Sequence, residues 1–221
     1  MATTTVKSII DKAKLILQET TPNGIRWTNE ELLGWLNEAY QKIIGFKPNA
    51  NGINEELVCV AGSKQSLPAN GVVLLDVVRN LAGTMGVVTP ADRSTLDATR
   101  RGWHQETQVD AVDHFMFDDQ DPKNFYVYPP ATVSAKLEII YAAVPAPHPD
   151  SVLADTTTIS LDDRYAPVLT DFILSRAYAK DADFASNSAL STKYENSALT
   201  ALGIKVKSEA ASSPNNPKNR Q

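Results

Sequence analysis

Apolar residues recur at helical spacing at both ends of the chain and at strand spacing in the middle. Val6, Ile9, Ile10, Ala13 and Leu17 form one stripe and predict a first amphipathic helix. Thr21-Pro22-Asn23-Gly24 breaks it with turn chemistry. Thr28 then stands three residues before Glu31. That is the spacing of a capping box, in which hydroxyl and carboxylate each satisfy an otherwise orphaned backbone amide. Trp27 and Leu32 flank it with the spacing of a hydrophobic staple. Leu32, Leu36, Ala39, Tyr40 and Ile43 line one face, so a helix is predicted from Thr28 to about Phe46, ending before Pro48.

Between about Asn51 and Asp155 the pattern shifts to short β-forming runs. Leu57–Val60 and Val72–Val78 are bounded by Gly or Pro turns. Val112–Phe117 and Asn124–Tyr128 are joined by an acidic turn, Asp118 to Lys123, as in a hairpin. Thr132–Tyr141 alternates, with Val133, Ala135, Leu137, Ile139 and Tyr141 on one face and Ile140 out of pattern. Six or so short strands argue for an antiparallel sheet or small sandwich, and Asp92–Trp103 reads as a loop or short helix. Helical spacing returns after Asp155. Tyr165, Val168, Leu169, Phe172 and Arg176 share a face, and Pro167, tolerated only in a first turn, puts the start near Asp163. A further helix is predicted from about Asp181 to Leu202, with Gly203 at C′ and Ala182, Ala185 and Ala189 as its packing face.

The predicted class is therefore α+β. A helical bundle forms from both ends (1–50 and 156–203), a β-rich antiparallel insertion lies between (51–155), and a flexible C-terminal tail follows (204–221). Ser208–Gln221 has no large apolar residue and is expected to be disordered when free. No internal repeat is present.

Composition narrows the class of function. With 221 residues, 43% apolar and 21% charged, the chain is neither collagen-like, coiled-coil nor wholly disordered. No run approaches the ~18–20 apolar residues of a membrane span, and the polar N-terminus offers no export signal or anchor. A single cysteine, Cys59, suits synthesis in a reducing cytosol. A net charge of −5 argues against general nucleic-acid binding.

Candidate chemistry is sparse. His104, His114 and His148 are isolated from one another and from Cys59, so no metal site is expected. Asp118, Asp119 and Asp121 lack the central Gly and terminal Glu of a calcium loop and read as a solvated turn. Cys59, in an apolar strand, is expected to be a buried inert thiol. Glu30-Glu31 and Asp162-Asp163 are adjacent acids at helix starts, where they favour the macrodipole, rather than spaced acid/base pairs. Arg93, Arg100, Arg101 and His104 with Trp103 form the one basic-aromatic constellation. It fits a phosphate backbone, a partner's carboxylates, or a solvated loop with Trp103 tucked under the sheet, and the last two are favoured. No catalytic, cofactor-binding or metal-binding residues are assigned.

The order of several segments resembles a known family. RWTNEELLGWLNEAYQKIIGFKP (Arg26–Pro48) is similar to the second helix of head-to-tail adaptor proteins of tailed bacteriophages, the tail tubular or gatekeeper-type adaptors of short-tailed phages. The resemblance continues through LLDVVRN (Leu74–Asn80), FDDQDPKNFYVYPP (Phe117–Pro130), LEIIYAAVP (Leu137–Pro145) and LDDRYAPVLTDFILSRAYAKDADF (Leu161–Phe184). It implies a non-enzymatic virion protein of the head-tail interface, made in the host cytoplasm. Such a protein forms a ring, typically twelvefold, under the portal protein. It carries a tail nozzle or other tail protein and passes genomic DNA without sequence-specific binding, with no cofactor and no membrane partner. The resemblance implies a ring-forming helical part, an outward or downward insert, and a C-terminal extension reaching the portal, with Lys205, Lys207, Lys218 and Arg220 as possible contacts. The alternative is a virion-associated hydrolase acting on cell-wall or capsular polysaccharide, which needs a spaced carboxylate pair in a cleft.

Overall fold

The first apolar stripe folds as α1, Val6–Leu17, and buries Val6, Ile9, Ile10, Ala13 and Leu17. Thr5 caps it by accepting from Ser8 N, and Gln18 ends it in the left-handed region. The capping box forms in full. In α2, Asn29–Phe46, Thr28 accepts from Glu31 N and the Glu31 carboxylate accepts from Thr28 N. Leu32, Leu36, Ala39, Tyr40 and Ile43 are buried, as the periodicity predicts. The computed structural model describes residues 2–154, 156–181 and 185–212. It is α+β, with helices at both ends flanking a β insertion. The chain divides into two units, Met1–Lys47 with Pro145–Gln221 and, between them, Pro48–Val144.

In the helical unit a 3-10 turn, Asp163–Tyr165, leads into α4, Ala166–Lys180, with Pro167 in its first turn. The N-terminal segment is stitched to the segment before that turn. Thr5 bridges Thr158, and the Asp163 carboxylate accepts from Thr3 N, Thr4 N and Thr3 Oγ1 at 2.7–2.9 Å. Those amides and the hydroxyl hold Asp163 well below the usual carboxylate range. The final helix differs from expectation. α5 spans Ala185–Ser212 and runs through Gly203. Gly203 does not take the positive φ that a C′ glycine needs, and a mid-helix glycine costs only about 1 kcal/mol relative to alanine. The packing face also moves. Ala189 is exposed, whereas Ala198 and Leu202 are buried and Tyr194 stacks on Tyr178 of α4. Ala182 lies outside the described residues, as do Ser213–Gln221 of the expected tail.

The β unit holds seven strands and one short helix. β1 is Gly52–Val58, β2 Gly62–Ser66, β3 Gly71–Asn80, β4 Thr89–Pro90, β5 His114–Phe117, β6 Asn124–Ala131 and β7 Lys136–Ala143. α3, Arg93–Thr99, precedes a 3-10 turn at Trp103–Gln105. One sheet has the order β1-β7-β3 and the other β2-β6-β5-β4. All strand pairings are antiparallel except the two-residue pairing of β4 with β5, which is parallel. Between the sheets lies a core of Leu74, Val77, Phe115, Phe125, Val127, Leu137, Ile139 and Tyr141. Asn80 is buried with them, and its side chain donates to Val112 O and Gly86 O and accepts from Val112 N. Val133, expected on the buried face, is exposed because it sits in the turn before β7.

Candidate functional site

The basic-aromatic constellation assembles around β6, and the structure spends most of it on packing. Trp103 is fully buried and donates Nε1–H to Asp97 at 2.9 Å. His104 stacks on it with ring centroids 3.7 Å apart, and its Nδ1 lies 2.7 Å from Ser63 Oγ. Arg93 sits 4.9 Å over the Tyr126 ring and 3.4 Å from Asp97. Arg100 lies over Tyr128, bonds its hydroxyl and pairs with Glu106 at 3.5 Å, while the Tyr128 hydroxyl donates to Glu106. Burial, then the Glu106 bond, raises the Tyr128 pKa. Two arginines are thus neutralised by neighbouring carboxylates and stacked on strand residues. Arg101 is exposed at the end of this segment. The arrangement clamps α3 and its following turn onto the sheet, which is the reading with Trp103 tucked under it.

The histidines stay apart. His114 Nδ1 meets Thr89 Oγ1 at 2.7 Å. His148, in the helical unit, places Nε2 at 3.2 Å from Tyr40 Oη and 3.1 Å from Ser160 Oγ, while Asn37 pairs with its backbone on both sides. That knot joins α2 to the chain before α4. Among the described residues no group of three or more His, Cys, Asp or Glu is placed to hold a metal. Cys59 is buried just past β1, and desolvation pushes its thiol up to about 11.

The nearest thing to a carboxylate cleft is a depression of about 670 Å³ lined by Asp92, Asp97, Asp118, Asp119 and Arg93, with Phe117 at its edge. Asp92 caps α3 there. Ser94 Oγ–H, Ser94 N–H and Thr95 Oγ–H hold its pKa down, opposite to the raised value a general acid needs. Asp118 accepts from Gln120 N as a turn carboxylate. Of the adjacent acids at the helix starts, Glu31, Asp162 and Asp163 are likewise structural. Glu31 closes the capping box and binds Lys180 at 2.7 Å, and Asp162 caps the turn before α4.

On the helical unit, Glu38, Lys42, Phe172 and Arg176 line a groove of about 520 Å³ between α2 and α4. Arg176 and Glu38 bridge it at 2.6 Å, and Lys42 meets Glu195 of α5 at 2.6 Å. Of the four tail cations, Lys205 and Lys207 fall within α5, and Lys218 and Arg220 lie outside the described residues.

The polar groups on these surfaces mostly satisfy one another. No helix among the described residues is long and apolar enough to cross a membrane. No curated protein matches the chain. The family model described as SU10 adaptor protein matches it over residues 4–218, which takes in both units. The chain is therefore a member of the SU10 adaptor protein family, a phage structural adaptor whose helices frame a β-rich insertion.

Proposed function

We propose that this chain is a ring subunit, in about twelve copies by the family resemblance, seated under the portal at the head-tail interface of the virion. The observation that carries the reading is the family match across residues 4–218, on a chain whose helices come from both termini. The helical unit makes the ring, the β unit meets the next tail component, and the C-terminal segment with Lys205, Lys207, Lys218 and Arg220 reaches the portal. A net charge of −5 per copy repels the duplex and lets it slide through the ring. Arg93 and Arg100, already held by Asp97 and Glu106, do not add a phosphate-binding strip.

The sequence has ordinary composition and no long apolar stripe left over for an obligate interface, so the isolated chain is expected to be monomeric or weakly associated and to close its ring on the portal. Native mass measurement of the chain alone and mixed with the portal protein of the same phage tests this. A ring-sized species that forms only in the mixture is the expected result. A chain that stays monomeric with portal present contradicts the ring. Deleting Ser208–Gln221 is expected to leave the helical unit's stability nearly unchanged and to weaken portal attachment in a salt-sensitive way. Unaltered attachment would show that the tail is passive.

A further inference from the structure

The sheet β1-β7-β3 has one edge answered within the chain and one edge open. On the outer side of β3, Val88 N donates to Val78 O at 3.4 Å and Asn80 N to Gly86 O at 2.9 Å. β1 is the other edge, seven residues from Gly52 to Val58 with β7 as its one strand neighbour. The ladder fixes where its backbone groups point. Cys59 N donates to Ala135 O at 2.9 Å, in register with Leu57 opposite Leu137, Glu55 opposite Ile139 and Ile53 opposite Tyr141. Residues of an antiparallel edge strand alternate between the partner and the outside, so Ile53, Glu55 and Leu57 bond β7. Gly52, Asn54, Glu56 and Val58 turn N–H and C=O outward, and among the described residues no group bonds them there.

An open edge is a template for another strand, and its charge says which strand fits. The β unit, Pro48–Val144, carries 12 Asp and Glu against 7 Lys and Arg, so it holds the chain's whole formal charge of −5. Glu55 and Glu56 stand exposed in the middle of the edge. A second copy is therefore a poor occupant. Two β1 edges paired about a two-fold axis would set these glutamates against their counterparts, and like charges directly opposite destabilise a strand pair. An incoming strand with Lys or Arg meets them favourably. Its two faces are set as well. Ile53 and Leu57 pack against the core from one face of β1, and Asn54, Glu56 and Val58 lie on the other. Glu56 meets Lys136 of β7 at 2.8 Å on one side, and the open edge is on its other side. The fitting strand puts apolar side chains beside Ile53 and Leu57 and basic ones beside Glu56.

We infer that the open edge of β1 receives an extended basic segment of the next tail component by strand addition. The segment is about 5–7 residues long, the length of an ordinary strand, with apolar and Lys or Arg positions alternating. Backbone bonds to Asn54 and Glu56 set its register, and the glutamates select its charge. This inference rests on the reading above that the β unit meets that component, and it names the edge and the chemistry of the contact.

Amide hydrogen exchange of the full chain, resolved residue by residue, tests it with two strand-length probe peptides, one alternating Val and Lys and the other Val and Glu. At about ten times its Kd the Val-Lys peptide is expected to slow exchange at Asn54 and Glu56 about tenfold. Ile53 and Leu57, already bonded to β7, should change least, and the Val-Glu peptide should leave the edge as it was. Asn54→Pro removes an outward donor and no bond to β7, so it is expected to weaken the Val-Lys peptide about tenfold while the Trp103 unfolding midpoint holds. Glu56→Lys leaves every backbone group in place and should weaken the Val-Lys peptide while admitting the Val-Glu one. Capture of the Val-Lys peptide without slowing at Asn54 and Glu56 would be charge association elsewhere and overturn the inference. Equal slowing by both peptides, or by neither, would overturn it too. Peptide capture does not need the ring. A virion ring whose β1 edges stay bare keeps the ring and defeats this contact, whereas edge protection in a chain found away from the head-tail joint keeps strand addition and defeats the ring.

Discussion

The two units hold their elements by different means. In the helical unit the helix ends are fixed within a turn or two of sequence, Thr5 with Ser8, Thr28 with Glu31, Asp162 with Arg164, before distant contacts such as Asp163 with Thr3 and Thr4 tie the elements together. In the β unit they join residues far apart. Asn80 supports Val112, Tyr126 and Tyr128 receive Arg93 and Arg100, and Tyr141 donates its hydroxyl to Glu55. Local caps let helices declare themselves before the fold closes. A small sandwich with short strands must wait for distant polar partners.

Separate unfolding of the units is the sharpest way to break this comparison. Leu36 is fully buried in the helical unit, and Leu36→Ala is expected to cost about 2–5 kcal/mol of that unit's stability. Trp27 and Trp35 belong to the helical unit and Trp103 to the β unit, so single-tryptophan variants report the two apart in a urea titration. The Trp27 or Trp35 midpoint is expected to fall while that of Trp103 holds. Midpoints that fall together would show one cooperative body.

Asn80→Ala should have the next largest effect, about 1–3 kcal/mol, because it strands buried backbone groups of Val112. Trp103 fluorescence is the readout, and an unchanged midpoint would remove Asn80 as the pin of the β unit. Thr28→Ala is expected to cost about 1 kcal/mol, read through the tryptophans of the helical unit.

The smallest effect is acid sensitivity of the loop between α1 and α2. The Thr21 hydroxyl first, then the Ile25 and Arg26 amides, lower the Glu19 pKa from 4.5 to about 2. A carboxylate depressed in the fold contributes stability that is full above its unfolded value and is lost as pH falls from 4.5 towards 2. Glu19→Gln should flatten that part of the stability profile between those pH values, measured by thermal melts. An unchanged slope would assign the acid sensitivity to other carboxylates, such as Asp163.

Much of the helical unit is legible in the chain because its signals are local. The α1 stripe and the Thr28 box need no distant partner to be recognised. α5 is the exception: Gly203 reads as a stop, but a glycine ends a helix only where the chain turns into the left-handed region. In the β unit, β2 carries no β-forming residue. It is written Gly-Ser-Lys-Gln-Ser, and Gln65 supports it by bonding Val60 N, Val60 O and Gly62 O. β1 begins at Gly52, ahead of the apolar run, because an edge strand tolerates Asn54, Glu55 and Glu56 beside solvent. The arginines near Trp103 stand out in sequence, yet their structural use depends on Tyr126, Tyr128 and Glu106.

The central claim is that this chain forms a ring between portal and tail. Imaging the intact virion by electron cryomicroscopy, with the density traced from α1, α2 and the two small sheets, tests it most directly. The account predicts one closed ring of this chain directly beneath the portal, with the DNA path through its centre. Finding the chain away from that joint, or as single copies around the tail, would contradict it.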